Sequence, residues 1–224
     1  MKMNLKFSVI AVAACFAVFS ASAGTTPAAK APESAASSAV AAVATAHALV
    51  RYGDANQDAL SLITAARIIK KTGSKDGAIT RTSGQSGDSK GKPDTYAVGE
   101  VLARAKGYAN GRADLIAMAD SIANESSRGA SNGPNIHRDV VRARQRDVYQ
   151  VSFRGGESAR VAVSGDYDTD LDLHVYDGRG NLVCSDTDTT DQAICGFTPS
   201  RTATYTIKVT NHGTISNAYA LLTN

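Results

Sequence analysis

The common motifs for metal and nucleotide chemistry are missing from these 224 residues. His-Glu-x-x-His and the phosphate-binding loop are missing, which removes the familiar ways of activating a zinc-bound water or a nucleotide phosphate, and Gly-x-Ser-x-Gly is met only at Gly87–Gly91. EF-hand and nonapeptide calcium spacings are missing as well. The histidines, His47, His137, His174 and His212, are scattered, and none forms the His-x-x-x-His pair of a helical zinc site. Gly87-Asp-Ser-Lys-Gly91 superficially resembles a serine nucleophile loop. It lies in a low-complexity stretch with no base placed to activate the serine, so it is read as chance. An excess of one charge sign is also lacking, with 24 Lys and Arg against 21 Asp and Glu. Removing a leader that carries Lys2 and Lys6 brings the balance closer to neutral. That excludes the electrostatic footprint of a nucleic-acid binder. No catalytic constellation emerges, and the chain is read as non-enzymatic.

Cysteine is scarce: Cys15, Cys184 and Cys195. The first falls in a segment where Met1–Lys6 is basic, Phe7–Phe19 is apolar, and Ala21-Ser-Ala23 offers a small-x-small site before Gly24. Residues 1–23 therefore read as a secretory signal peptide cut between Ala23 and Gly24, too short and wrongly flanked to stay as a membrane anchor. The alternative makes Val12-Ala-Ala-Cys15 a lipoprotein box with Cys15 lipidated, although the apolar region would then be cut in its middle. The expected location is periplasmic or secreted, with no transmembrane segment after cleavage. Cys184 and Cys195 remain as an even pair in an oxidising compartment and read as one disulfide.

Residues 24–33 read as a flexible tail, and from Ser34 the texture turns helical. Ser34 or Ser37 can cap a helix running to Arg51, with Val40, Val43, His47 and Val50 on one stripe. Gly53-Asp54 is expected to break it, with Asp54 or Asn56 capping the next helix, Asp58–Lys71. Residues 73–93 are rich in Gly, Ser, Lys and Asp and read as a flexible loop. Asp94 can cap a third helix carrying Val98, Val101, Leu102 and Ala105, and a fourth carries Leu115, Met118, Ala119 and Ile122. A shift of 53 residues superposes the two helical hairpins, Leu62-Ile63 on Leu115-Ile116 and Ala66 on Ala119. Duplication and convergence of two hairpins explain those matches about equally. Residues 34–127 are thus an α-helical region, and 128–136 a Gly/Ser/Asn linker. Across 137–224 the apolar period becomes two. Eight short strands punctuated by Gly155-Gly156, Asp177-Gly178-Arg-Gly180 and Asn211-His-Gly213 predict an antiparallel β-sandwich of jelly-roll kind, making the whole chain α+β.

Within that region, Asp147-Val-Tyr-Gln-Val-Ser-Phe153, Gly155-Gly-Glu157, Asp170-Leu-Asp-Leu-His-Val-Tyr-Asp177 with Gly180-Asn-Leu182, Phe197-Thr-Pro199, and Thr204-Tyr-Thr-Ile-Lys-Val209 with Tyr219-Ala-Leu221 resemble the bacterial pre-peptidase C-terminal domain. The resemblance covers residues 146–224, about a third of the chain. It implies a small, non-catalytic β-sandwich appended to exported proteins, some of which bind calcium, matrix or polysaccharide. No peptidase precedes the domain here, and the helical region resembles no enzyme.

Leu171, Leu173 and Val175 put one face of a strand in the core, while Asp166, Asp168, Asp170 and Asp172 share the other side. With Asp186 and Asp188 from the loop between the cysteines, they are the candidate calcium ligands. The simpler reading, which is preferred, has Asp170 and Asp172 bonding nearby turn amides and the rest solvated. The arginines at 138, 142, 144, 146, 154 and 160 read as a charged strand edge, with an anionic polysaccharide or lipid headgroup as the functional alternative. The sequence therefore predicts an exported binding or scaffold protein of the periplasm or cell envelope, partnered by an envelope protein or a polysaccharide. The alternative is a calcium-regulated accessory or processing domain serving a secreted enzyme.

Overall fold

A computed structural model describes residues 33–76, 79–85, 87, 94–126 and 133–224, all within a compact unit spanning Ala31–Asn224. The signal peptide, Cys15, the cleavage site Ala23–Gly24 and nearly all of the expected tail lie outside the described residues, as do 88–93 and 127–132.

Ser34 accepts the Ser37 amide at 3.1 Å and opens α1, Ala35–Asn56. Val40, Val43, Ala46, His47 and Val50 recur at helical spacing on its buried side. The sequence reading ended this helix near Arg51, but Gly53 is not a break. It lies inside the helix, where an added Cβ would come within 2.8 Å of Leu62. The helix closes instead at Gln57, in the left-handed conformation with φ 51°. Asp58, rather than Asp54 or Asn56, then caps α2, Ala59–Thr72, by accepting the Leu60 amide and the Ser61 hydroxyl. Ahead of α3, Val98–Tyr108, Asp94 holds the Tyr96 amide in a turn and Ala97 occupies the cap. Lys70 reaches the Ile122 and Ala123 carbonyls in the last turn of α4, Ala113–Asn124, where carbonyls run out of intrahelical donors. Leu62, Ala66, Leu102, Leu115, Ala119 and Ile122 meet in one core. The superposed Arg51 and Arg104 have unlike partners, Asp191 and Asp54.

The alternating segments form β3 Asn135–Val141, β4 Arg146–Phe153, β5 Ala159–Gly165, β6 Leu171–Tyr176, β7 Leu182–Asp186, β8 Gln192–Phe197, β9 Ala203–Asn211 and β10 Asn217–Thr223. Two short strands come from the stretch expected to be a flexible loop: β1, Lys75–Asp76, and β2, Thr80–Ser83. The first strand runs parallel to β3 and the second antiparallel to β4. One sheet is ordered β1-β3-β10-β5-β8 and the other β2-β4-β9-β6-β7, each five-stranded. Between them lie Tyr149, Phe153, Val161, Val163, Leu171, Leu173, Val175, Ile207, Val209 and Leu221. Ile79, just before β2, is buried in that same core, which a polar-loop reading of 73–93 misses. Arg81 on β2 binds Asp139 at 3.2 Å and Asp147 at 3.3 Å, and Asp147 also accepts the Tyr219 hydroxyl at 2.9 Å.

Helices and sandwich are not two bodies on a linker. α1 lies on the outer face of the β1-β3-β10-β5-β8 sheet, where Val40 and Val43 pack on Ile136, Ala162, Ala220 and Leu222. Asn135 and Ile136, inside the expected linker, already belong to β3. The chain is α+β, with a helical layer covering one face of an antiparallel β-sandwich.

Candidate functional site

Of the six aspartates proposed for calcium, Asp170, Asp172 and Asp188 lie near one another, but most are bonded to groups of their own. Asp186 accepts the Ile194 amide at 2.9 Å and so covers the free edge of β8. Asp188 closes its own turn through the Thr190 amide and hydroxyl at 2.8 and 2.7 Å. Asp172 meets His212 at 2.7 Å. Asp170 lies near Asp172 and Asp188, and burial raises its carboxyl above the usual range, with the like charge of Asp172 adding to the effect. Asp166 lines a cavity between β5 and the turn before α3, and Asp168 stays on the exposed β5–β6 turn. Among the described residues no three His, Cys, Asp or Glu side chains gather in a metal-holding arrangement. Cys184 and Cys195 do form the disulfide, with Cα atoms 5.8 Å apart, joining the edge strands β7 and β8 of opposite sheets.

The turn after β5 is held from the helical side by residues that the sequence reading did not group. Tyr167 has φ 76°, a conformation costly for a bulky residue. Its amide donates to Asp191 at 2.6 Å, and buried Asp191 is also the ion-pair partner of Arg51. The Arg51 guanidinium stands 4.6 Å over the Tyr167 ring, and Tyr96 meets that ring edge-on. Tyr96 donates its hydroxyl to the Gly165 carbonyl at 2.7 Å and stacks on His47 at 3.8 Å. His47 is 2% exposed, and burial lowers its pKa to about 3. Partners of this kind, far apart in sequence, have no local signature; only the stripe position of His47 hinted at its burial.

Among the described residues, no helix packs on the outer face of the other sheet. The inward turn of Leu171, Leu173 and Val175 sends Asp172, His174 and Tyr176 outward. The register sets His174 beside Lys208 and Tyr176 beside Thr206, with Thr206 opposite Gln150. His174 and Tyr176 are stacked with centroids 6.3 Å apart, and Lys208 Nζ stands 4.2 Å over the Tyr176 ring. Below them the hydroxyls of Ser152 and Thr204 are bonded at 3.0 Å. The face is thus a ring pair beside a lysine, bordered by hydroxyl and amide groups. His212, not the neighbouring His174, takes the Asp172 carboxylate, and His174 joins Tyr176.

No family model matches the chain, and no curated protein does. Among solved structures it is similar to the pre-peptidase C-terminal domain of a collagenase from Bacillus anthracis, with 12% identity over 41% of this chain and 89% of that chain, at a TM-score of 0.37. The strand order described above, rather than this distant likeness, establishes the fold.

Proposed function

We propose that the chain is an exported, non-enzymatic binding module of the periplasm or cell envelope, and that it holds a polysaccharide on the outer face of the β2-β4-β9-β6-β7 sheet. The observation that carries this reading is the unequal treatment of the two sheets. α1 packs over one outer face, while the other presents Tyr176, His174 and Lys208 among Ser, Thr and Gln side chains. A sugar ring offers an apolar C–H face to a Tyr ring and hydroxyls to neighbouring donors and acceptors, which is the chemistry this face supplies. Strands hold these groups in fixed register, so little ordering entropy opposes binding. The disulfide between β7 and β8 fits an oxidising compartment.

The test is co-sedimentation of the mature protein with polysaccharide isolated from its own envelope, beside a Tyr176→Ala variant of equal thermal stability. Retention of the wild type and loss of the variant support the reading. Equal retention of both, or capture of a protein partner in place of polysaccharide, overturns it.

A further inference from the structure

At one end of that outer face, directly beyond Tyr176 and Thr204, the sheet runs into a cavity of about 430 Å³ lined by Asp177, Arg179, Ser200, Arg201 and Tyr205. The lining includes Ala203 and Tyr205, which alternate with the outward Thr204, so the cavity opens at the end of the sandwich, where Gly178 continues the line of β6 past the rim of the face. Two arginines and one aspartate suggest near neutrality, but the aspartate is already committed. Asp177 Oδ1 accepts the Arg179 and Asn181 amides at 2.9 and 2.8 Å, and Oδ2 accepts the Asn181 side chain at 2.9 Å. Those bonds hold its carboxyl below the usual range, the Asn181 side chain contributing most. Neither arginine reaches a carboxylate within ion-pair distance among the described residues.

Both arginines stand on fixed turns. The Asp177 bonds close the turn that carries Arg179. On the other side, Gly156 donates to the Pro199 carbonyl at 2.7 Å and Gly155 to the Thr202 hydroxyl at 3.0 Å. Gly155 also approaches the Arg201 backbone so closely that an added Cβ would lie 2.5 Å from it. Two arginines carried on fixed turns, with Ser200 beside Arg201 in the lining, supply hydrogen-bond donors and positive charge to a planar oxyanion. Lys208 extends the positive charge along β9 on the side of Tyr176. From Thr204 to Lys208 is four residues of strand, about 13 Å, a stretch that spans a few sugar rings.

Building on the polysaccharide reading, we infer that the bound polymer is acidic, and that the Arg179–Arg201 cavity takes a carboxylate or phosphate group carried on its sugars. Hydroxyls and rings on the face bind the chain, and the cavity selects for its charge.

The experiment measures binding of the full mature protein to polygalacturonate, to its fully methyl-esterified form, and to a phosphate-bearing glycan polymer. Wild type is expected to bind at least one acidic polymer about tenfold or more tightly than the ester, and Arg179→Gln and Arg201→Gln each to lose most of that difference. Which acidic polymer binds identifies carboxylate or phosphate as the group. If the ester binds as well as the acids and Tyr176→Ala abolishes both, the face reading stands and the acidic specificity is wrong. If the arginine variants bind like wild type at matched melting temperature, the cavity is not the anion site. Failure of every polymer to bind removes both readings together.

Discussion

His47 offers the sharpest link between this fold and a measurable quantity. It is 2% exposed, stacked on Tyr96, and its Nδ1 has no hydrogen-bond partner among the described residues. Burial holds its pKa near 3, against 6.5 for an unperturbed histidine. The folded state therefore keeps the ring neutral while the unfolded chain binds a proton. Stability from this residue is complete above about pH 6.5 and is lost as pH falls toward about 3. Between pH 7 and pH 5 the loss is about 2 kcal/mol from this residue alone. For a unit of this size that equals a fall in melting temperature of roughly 4–8 °C. Raised carboxyls such as Asp170 titrate in wild type and variants alike, so the difference between the curves reports His47. Urea unfolding at intervals of pH, on wild type and on His47→Phe, isolates the effect, because the variant retains a ring against Tyr96 but cannot titrate. His47→Gln serves as a second neutral replacement should phenylalanine overfill the site. The stability of both variants should vary less with pH in this window, by that same amount. Parallel curves for wild type and variants would refute the burial argument.

Other outcomes follow from packing and covalent structure. Gly53→Ala gains about 1 kcal/mol in helix propensity but forces a methyl against Leu62, so a net loss of about 1–3 kcal/mol is expected in chemical denaturation. Replacing both Cys184 and Cys195 by Ala should cost about 3 kcal/mol, the chain-entropy value for a closed loop of this length, and reductant should do the same to wild type. Calcium at millimolar levels should leave the melting temperature unchanged, because most of the six aspartates are bonded to groups of their own. A rise of several degrees would show that the carboxylates do assemble around the ion.

Much of the sandwich was legible because strand burial has period two, and Tyr205, Ile207 and Val209 or Leu171, Leu173 and Val175 repeat it cleanly. Eight short strands were expected there, and β3 to β10 are eight. The helices were visible in their apolar stripes, but their ends were not. Gly53 looks like punctuation in sequence and turns out to be a point of close approach, a distinction set by Leu62 nine residues on. β2 escaped notice because its neighbours are Gly, Ser and Lys. Only Ile79 and Arg81 betray it, and Arg81 makes sense as a strand residue only once Asp139 and Asp147 are beside it. The acidic strand is the instructive case. Its alternation identified the strand, yet carboxylate count gave no sign that Asp186 serves an edge and Asp172 a histidine. Those partners are distant in sequence, and composition does not encode them.

The origin of β1 and β2 between α2 and α3 has a consequence for dividing this protein. The chain leaves the helical layer after α2, contributes the outermost strand of each sheet, and only then returns to build α3 and α4. No single cut therefore yields two whole halves. A fragment beginning at β3 would carry raw, unpaired edges on β3 and β4 and the stranded carboxylates of Asp139 and Asp147, an invitation to pair with its own copies. A fragment ending at α4 would retain those two strands with nothing to pair them. Each part completes the other, so unfolding should proceed as one cooperative event, and loss of either part should be felt across the whole molecule.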